Sequence, residues 1–541
     1  MKQRTTASLL ALLLLWPLLA PAQTPTPTPT PQATPTPQAT PAAPAPRTVE
    51  ELRARIQEVL DQPQLAPALL AVKVASLDTG RVLFEANAGK LLMPASNMKL
   101  YTVAAALDRL GPEFRFGTSA YANERPDKSG KVRGDLIIYG RGDPSYATRF
   151  NGGDYYKAFD ELAARIVAAG VKRVEGDLVG DESYFTGPPL GIGWEWDDLQ
   201  GYDAAEVTAL TVDDNALDLI IKPAARVGDA VLVTTGPANP MIRVVTPKAN
   251  EEMADAPNFS TVVNRAVTAP RGAKRDINVV RPLGQNLIEI TGSIAQDDGE
   301  YKDNAAVKRP ALLFTAMLRA ALEKQGVTIK GRTRVMDAKA RSLAPLDMTK
   351  LIELAKRESP PFSEIAAQTL KPSQNLYAEL ILRTLGKQFP GPDPKQATWA
   401  AGSAVVRAFL HEAGVGEADR LAFYDGSGLS RHNLVSAAAT TQLLTYMSWH
   451  RYAEVFRAAQ PIAGVDGTLR NRMRNTPAAG NVRAKTGTLD NVVALSGYVT
   501  SATGERLVFS LMANHYPRDT SARATFLDAV AALLASFAGH S

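Results

Sequence analysis

RAKTGTLDN, residues 483–491, sets a lysine, a threonine and a glycine in a row ahead of VVALSGYV, an apolar run that reads as a strand. A tight turn would account for Gly487 but not for the cation and hydroxyls around it. On an edge strand, this backbone can pair with an extended peptide. A residue lacking Cβ lets that peptide pass close. Lys485 and Thr486 would then meet a terminal carboxylate, and the Thr488 N–H would help form an oxyanion hole.

Two further motifs fit the same chemistry. Ser96-Asn97-Met98-Lys99 stands at the head of MKLYTVAAALDRLG, a helix expected to open near Ser96 and close at Gly111. Ser96 and Lys99 then lie one turn apart on one face. A serine acting only as an N-cap is better followed, three residues on, by an acid. Here a lysine takes that place, against the positive end of the helix dipole. That field, and a second cation nearby, lower a lysine's pKa. A neutral amine beside a hydroxyl can take its proton and make the serine a nucleophile.

Ser373-Gln374-Asn375 precedes LYAELILRTLG. It reads equally as a helix cap or as a proton relay through Ser373, with the Asn375 amide offered to a substrate carbonyl and to a lysine. Each motif alone is weak. Together, in the order S-x-x-K, S-x-N, K-T-G, they form the set used by serine β-lactamases and penicillin-binding proteins.

The chain of 541 residues opens with MKQRTTASLLALLLLWPLLAPAQ. A basic head, an apolar run and Ala20-Pro21-Ala22 form a secretory signal peptide over residues 1–22. The run is shorter than the ~20 residues of a membrane span, so no integral anchor is expected after cleavage. Residues 23–47, nearly all Thr, Pro, Ala and Gln, read as a disordered spacer favouring polyproline conformations. With no cysteine, the body has neither disulfides nor a thiolate nucleophile. Losing Lys2 and Arg4 takes the formal charge from +5 to +3, too mild to argue for nucleic acid. The five histidines show no ligand spacing, so neither metal nor cofactor is expected.

The body reads as strands and helices at both ends with a β-rich middle. LLAVKVASLDTGRVLFEANA is a hairpin about Asp78-Thr79-Gly80, and VVALSGYVT and RLVFSLMAN are strands before a last helix, ATFLDAVAALLASFA. Both ends would thus complete one α/β unit interrupted by the middle.

PASNMKL, GDLIIYGRGDP, SQNLYAEL, DGSGLSRHNLVS, GVDGTLRNRM and AKTGTLDNV resemble the text of low-molecular-mass class C penicillin-binding proteins of the penicillin-binding protein 4 type. Ser96 and Ser373 lie 277 residues apart, and that family carries a long insertion there. The resemblance implies a multi-domain α/β fold. Its transpeptidase-like domain, an antiparallel sheet flanked by helices, spans 48–116 and 356–541. Insert domain II spans 117–205 and 304–355, and a nested β-rich domain III spans 206–303.

It also implies an exported D-Ala-D-Ala carboxypeptidase or endopeptidase acting on peptidoglycan stem peptides and inhibited by β-lactams. Ser96 would be acylated, with Lys99 as its base and Ser373 and Lys485 as the relay to the leaving amine. Asn375, Thr486, Gly487 and Thr488 would hold substrate, and Asp181 would meet the free amine of the stem's diamino acid. Gln374 departs from the family, whose members often carry aspartate there. A serine β-lactamase shares the motifs but has no use for so long a middle; a non-catalytic peptidoglycan-binding scaffold would not need the intact set.

Overall fold

The computed structural model describes residues 44–541 except 249–250, 257–259, 394, 417 and 518–520. The expected signal peptide and most of the spacer lie outside the described residues. The spacer's end does not. Pro46 is buried and its carbonyl accepts the Ala538 N–H at 2.8 Å, so the folded body begins slightly before the expected boundary at 47/48.

Both chain ends build one antiparallel sheet. Its order is Arg483–Leu489, Val492–Thr500, Arg506–Asn514, Leu69–Ser76 and Val82–Ala86. Leu69–Ser76 pairs along its whole length with Arg506–Asn514, so the N-terminal hairpin needs the C-terminal strand beside it. The two middle C-terminal strands are apolar because the sheet is covered on both faces. Ala494 and Tyr498 face one core with Met98–Leu110 and Ala437–Trp449; Val493, Leu495 and Phe509 face another with Val49–Leu60 and Ala529–Ser536. The last helix differs from expectation at its start: Arg523–Asp528 forms a π-helical turn before α-helix resumes at Ala529. Arg472 grips Asp528 within that turn.

The middle builds its own sheets. One has the order Thr333–Met336, Leu178–Asp181, Leu136–Gly140, Gly117–Ala122 and Ile352–Glu358. The parallel pair Leu136–Gly140 and Leu178–Asp181 is connected through the helix Lys157–Ala168, which packs with Pro310–Lys324 on a shared core. Between Ala216 and Ala306 lie two smaller sheets, one three-stranded and one of five strands. Ile352–Glu358 and Tyr301–Ala306 each cross the boundaries drawn from sequence at 355/356 and 303/304. Strand pairing, not composition, fixes those limits.

Phe509 is fully buried in the sheet's second core, whereas Leu232 is 60% exposed. Phe509→Ala is expected to cost about 3–5 kcal/mol, seen as a lower melting temperature. Leu232→Ala should change stability by less than about 0.5 kcal/mol.

Candidate active site

Ser96 sits in a short 3-10 turn, Ala95–Asn97, immediately before the α-helix Met98–Leu110. It does not act as a cap; the residue at that place is Asn97, whose side chain instead donates to Ser496 Oγ at 2.7 Å. Ala95 holds φ +47°, a strained value for a residue with Cβ. The neighbours fix it there. Asn514 accepts the Met93 N–H at 2.9 Å and donates to the Met93 carbonyl at 3.1 Å, tying the approach to the turn to the central sheet.

Two glycines close around the turn. A Cβ on Gly487 would lie 2.6 Å from the Pro94 carbonyl oxygen, and one on Gly428 would lie 1.8 Å from that of Ala95. Gly487 was expected to make room for a passing peptide. The space it leaves is taken by the Ser96 turn itself, so its work is to seat the serine against the KTG strand.

Lys99 is fully buried, with Nζ 2.9 Å from Ser96 Oγ, 2.6 Å from Asn375 Oδ1 and 2.7 Å from the Ser427 carbonyl oxygen. Asn375 cannot be turned over, because its Nδ2 donates to the Asp203 carbonyl at 2.8 Å. Burial, opposed by the charges of Asp425, Glu379 and Asp203, leaves the Lys99 pKa lowered to about 8. A neutral amine has two hydrogens and one lone pair. Asn375 Oδ1 and the Ser427 carbonyl can only accept, so they take both hydrogens and leave the lone pair on the Ser96 hydroxyl.

Lys485 is likewise fully buried, donating to Ser373 Oγ and to the Thr486 carbonyl, both at 2.8 Å. Burial first, and the charge of Lys99 second, hold its pKa well below the ordinary lysine range. Ser373 is not the helix cap either. Gln374 is, its side chain accepting the Leu376 N–H at 3.0 Å, while Ser373 holds φ +67° and keeps its hydroxyl for Lys485. The Gln374 departure from the family pattern thus preserves the cap. Thr486 Oγ1 lies 2.8 Å from Thr468 Oγ1.

Ser96, Ser373, Asn375, Thr486 and Thr488 share one cleft of about 460 Å³. The two lysines lie beneath its floor. The opposite wall comes from the middle of the chain, with Glu195, Asp197, Asp198 and Asp203. Burial, with the charges of Glu195 and Asp197 beside it, holds Asp198 above the usual carboxylate range. Asp181, expected in this cleft, is not among its lining residues. It is 1% exposed, accepts the Ser183 N–H at 3.0 Å and is gripped by Arg341. Its carboxylate is already spent on the fold. Sequence reading missed the wall, although the run WEWDDLQGYD, 194–203, carries an acidic and aromatic density that would have marked it. It also missed Ser427, which acts through its backbone carbonyl.

Residues 52–537 match the family described as D-Ala-D-Ala carboxypeptidase 3 (S13). The chain is 36% identical over 502 residues to a D-alanyl-D-alanine carboxypeptidase of Actinomadura sp., covering 91% of this chain and 85% of that one. It is 26% identical over 445 residues to the D-alanyl-D-alanine carboxypeptidase DacB of Haemophilus influenzae, covering 82% and 84%. The crystal structure of penicillin binding protein 4 from H. influenzae superposes with a TM-score of 0.70 at 25% identity, covering 88% of this chain and 97% of that one. A match running through nearly all of the folded body, with both ends and the long middle included, establishes that the chain belongs to the D-Ala-D-Ala carboxypeptidase 3 (S13) family.

Proposed function

We propose that this chain cleaves the terminal D-Ala-D-Ala bond of peptidoglycan stem peptides, and the equivalent bond at a D-centre in cross-links, through an acyl-enzyme on Ser96. The contact that carries the reading is Lys99 Nζ at 2.9 Å from Ser96 Oγ, with both amine hydrogens already committed elsewhere. Lys99 takes the hydroxyl proton as Ser96 attacks the carbonyl carbon. The negative oxygen that forms is held by the N–H groups of Ser96 and Thr488. The pair Ser373–Lys485 passes a proton to the leaving amine, which departs as D-alanine or as the acceptor side of a cross-link, while the donor stem stays on Ser96 as the ester. Water then hydrolyses the ester.

Thr486 and Thr488 receive the substrate's carboxyl end, and Asn375 meets its amide. The acidic wall from Glu195 to Asp203 suits the free amine of a diamino acid, the role that sequence had given to Asp181. A β-lactam would mimic the acyl-D-Ala-D-Ala end, open its lactam ring on Ser96 and remain there as the acyl group. The catalytic unit in this reading joins the two ends of the chain, with the middle as insert domains. An exported protein at the cell wall fits the leader-like first residues. Among the described residues, no helix is long and apolar enough to cross a membrane.

Ser96→Ala should abolish covalent labelling by a fluorescent penicillin, read by mass spectrometry, and stop release of D-alanine from a D-Ala-D-Ala peptide. Labelling that survives the substitution would remove Ser96 from the reaction. The base must be neutral, so acylation should rise with pH and reach half its maximum near the Lys99 value of about 8; stopped-flow rates between pH 6 and 10 measure this. Asp181→Asn, by breaking a buried pair, should lower stability by about 3 kcal/mol while leaving the acylation rate constant of the folded protein unchanged.

A further inference from the structure

The segment DGSGLSRHN, 425–433, belongs to none of the three motifs, yet its Ser427 carbonyl is one of the two acceptors that orient Lys99. Backbone carbonyls in loops do not hold a direction by themselves. The loop that carries this one is held from the helix Asn375–Gln388. Glu379, 2% exposed, accepts two consecutive N–H groups on a single oxygen, Gly426 N–H and Ser427 N–H, each at 2.9 Å. Two N–H groups aimed at one oxygen fix the peptide planes on either side of Gly426 and so seat Ser427; the Ser427 carbonyl lies in the next plane, whose Gly428 N–H is held by Asp425.

The rest of the loop is fitted to that arrangement. A Cβ on Gly426 would lie 2.6 Å from the Ala378 carbonyl oxygen, so only glycine lets the loop close onto the helix. Thr102 donates to the Gly426 carbonyl at 2.8 Å. Asp425 accepts the Gly428 N–H at 2.8 Å and the Ser430 N–H at 2.6 Å. Asn375 and Glu379 are four residues apart on one helical face. The first contacts Lys99 directly; the second reaches it through Ser427. A helix buried over nearly its whole length thus turns two polar groups toward one amine.

We propose that Glu379 is a positioning residue for acyl transfer: by accepting the N–H groups of Gly426 and Ser427 it seats the loop from which the Ser427 carbonyl, its plane held by Asp425, reaches Lys99, and its charge acts on that amine. The proposal rests on Lys99 being the base for Ser96. The charged groups around the pair are Asp425 and Arg383 facing Glu379, and Asp425, Asp203, Lys485 and Glu379 facing Lys99. The sign follows from charge alone. Removing a negative group near Lys99 disfavours its protonated form, so the neutral amine persists to lower pH.

The test measures acylation by a fluorescent penicillin across pH in full-length wild type, Glu379→Gln and Glu379→Ala. Glutamine keeps an oxygen for both N–H groups but loses the charge. Its maximal rate should stay within about threefold of wild type, while the acid limb moves down by about half a unit or more. Alanine removes the acceptor as well. Its maximal rate should fall by about tenfold or more, with the limb displaced in the same direction. A purely structural glutamate would lower the melting temperature in both variants and leave the limb where it is. An unmoved limb in whichever variant folds overturns the proposal. Ser96→Ala, run alongside, separates the two failures: loss of labelling there with unmoved limbs in the Glu379 variants sinks only the role of Glu379.

Discussion

Lys99 and Lys485 are both removed from solvent, and each charge raises the cost of the other. Burying an ammonium without a partner is far more costly than burying a neutral amine, so such a site favours proton loss. Every other feature of the cleft serves that constraint. Carbonyl and amide oxygens surround the amines in place of directly paired carboxylates, and the nearest acids, Asp425, Glu379 and Asp203, act on Lys99 through space. Lys99, which touches Ser96, has its pKa lowered to about 8, which suits the base role proposed for it. The other is pushed lower by its neighbour and couples to a second serine.

The fold supplies this arrangement from segments far apart in the chain. The Ser96 turn is seated by strands from the C-terminal end, through Asn514 and through the space left by Gly487. The middle of the chain contributes directly too, since the Asp203 carbonyl fixes the Asn375 amide and Trp194 Nε1 donates to Asp425 at 2.9 Å. The long insertion is therefore more than an appendage. It closes one wall of the cleft and steadies two of the groups beneath it.

Much of this was legible in the sequence, and the reason is local chemistry. Ser96 and Lys99 were expected on one helical face and Lys485 and Thr486 on one strand, so the three motifs, weak one by one, pointed to one chemistry when taken in order. VVALSGYV was readable as a strand from its apolar run. What remained hidden depends on packing between distant segments. Gly487 looked like clearance for a ligand because sequence does not show that Pro94 lies behind it. Asp181 looked like a ligand group because Arg341, which claims it, is 160 residues away. Ser427 acts through its carbonyl, which every residue possesses, so its side chain gave no signal. Pro46 was grouped with the spacer by composition, yet the contact with Ala538 brings it into the folded body.

The bond from Asn375 to the Asp203 carbonyl, together with the pairing of Leu69–Ser76 along Arg506–Asn514, bears on when the site can exist at all. The Asn375 amide beside Lys99 is fixed only after the middle has folded, and the sheet beneath Ser96 closes only after the final strand arrives. Contacts of such long sequence separation form late. Ser96 therefore gains its full setting only once the strand Arg506–Asn514 is in place, a consequence of topology.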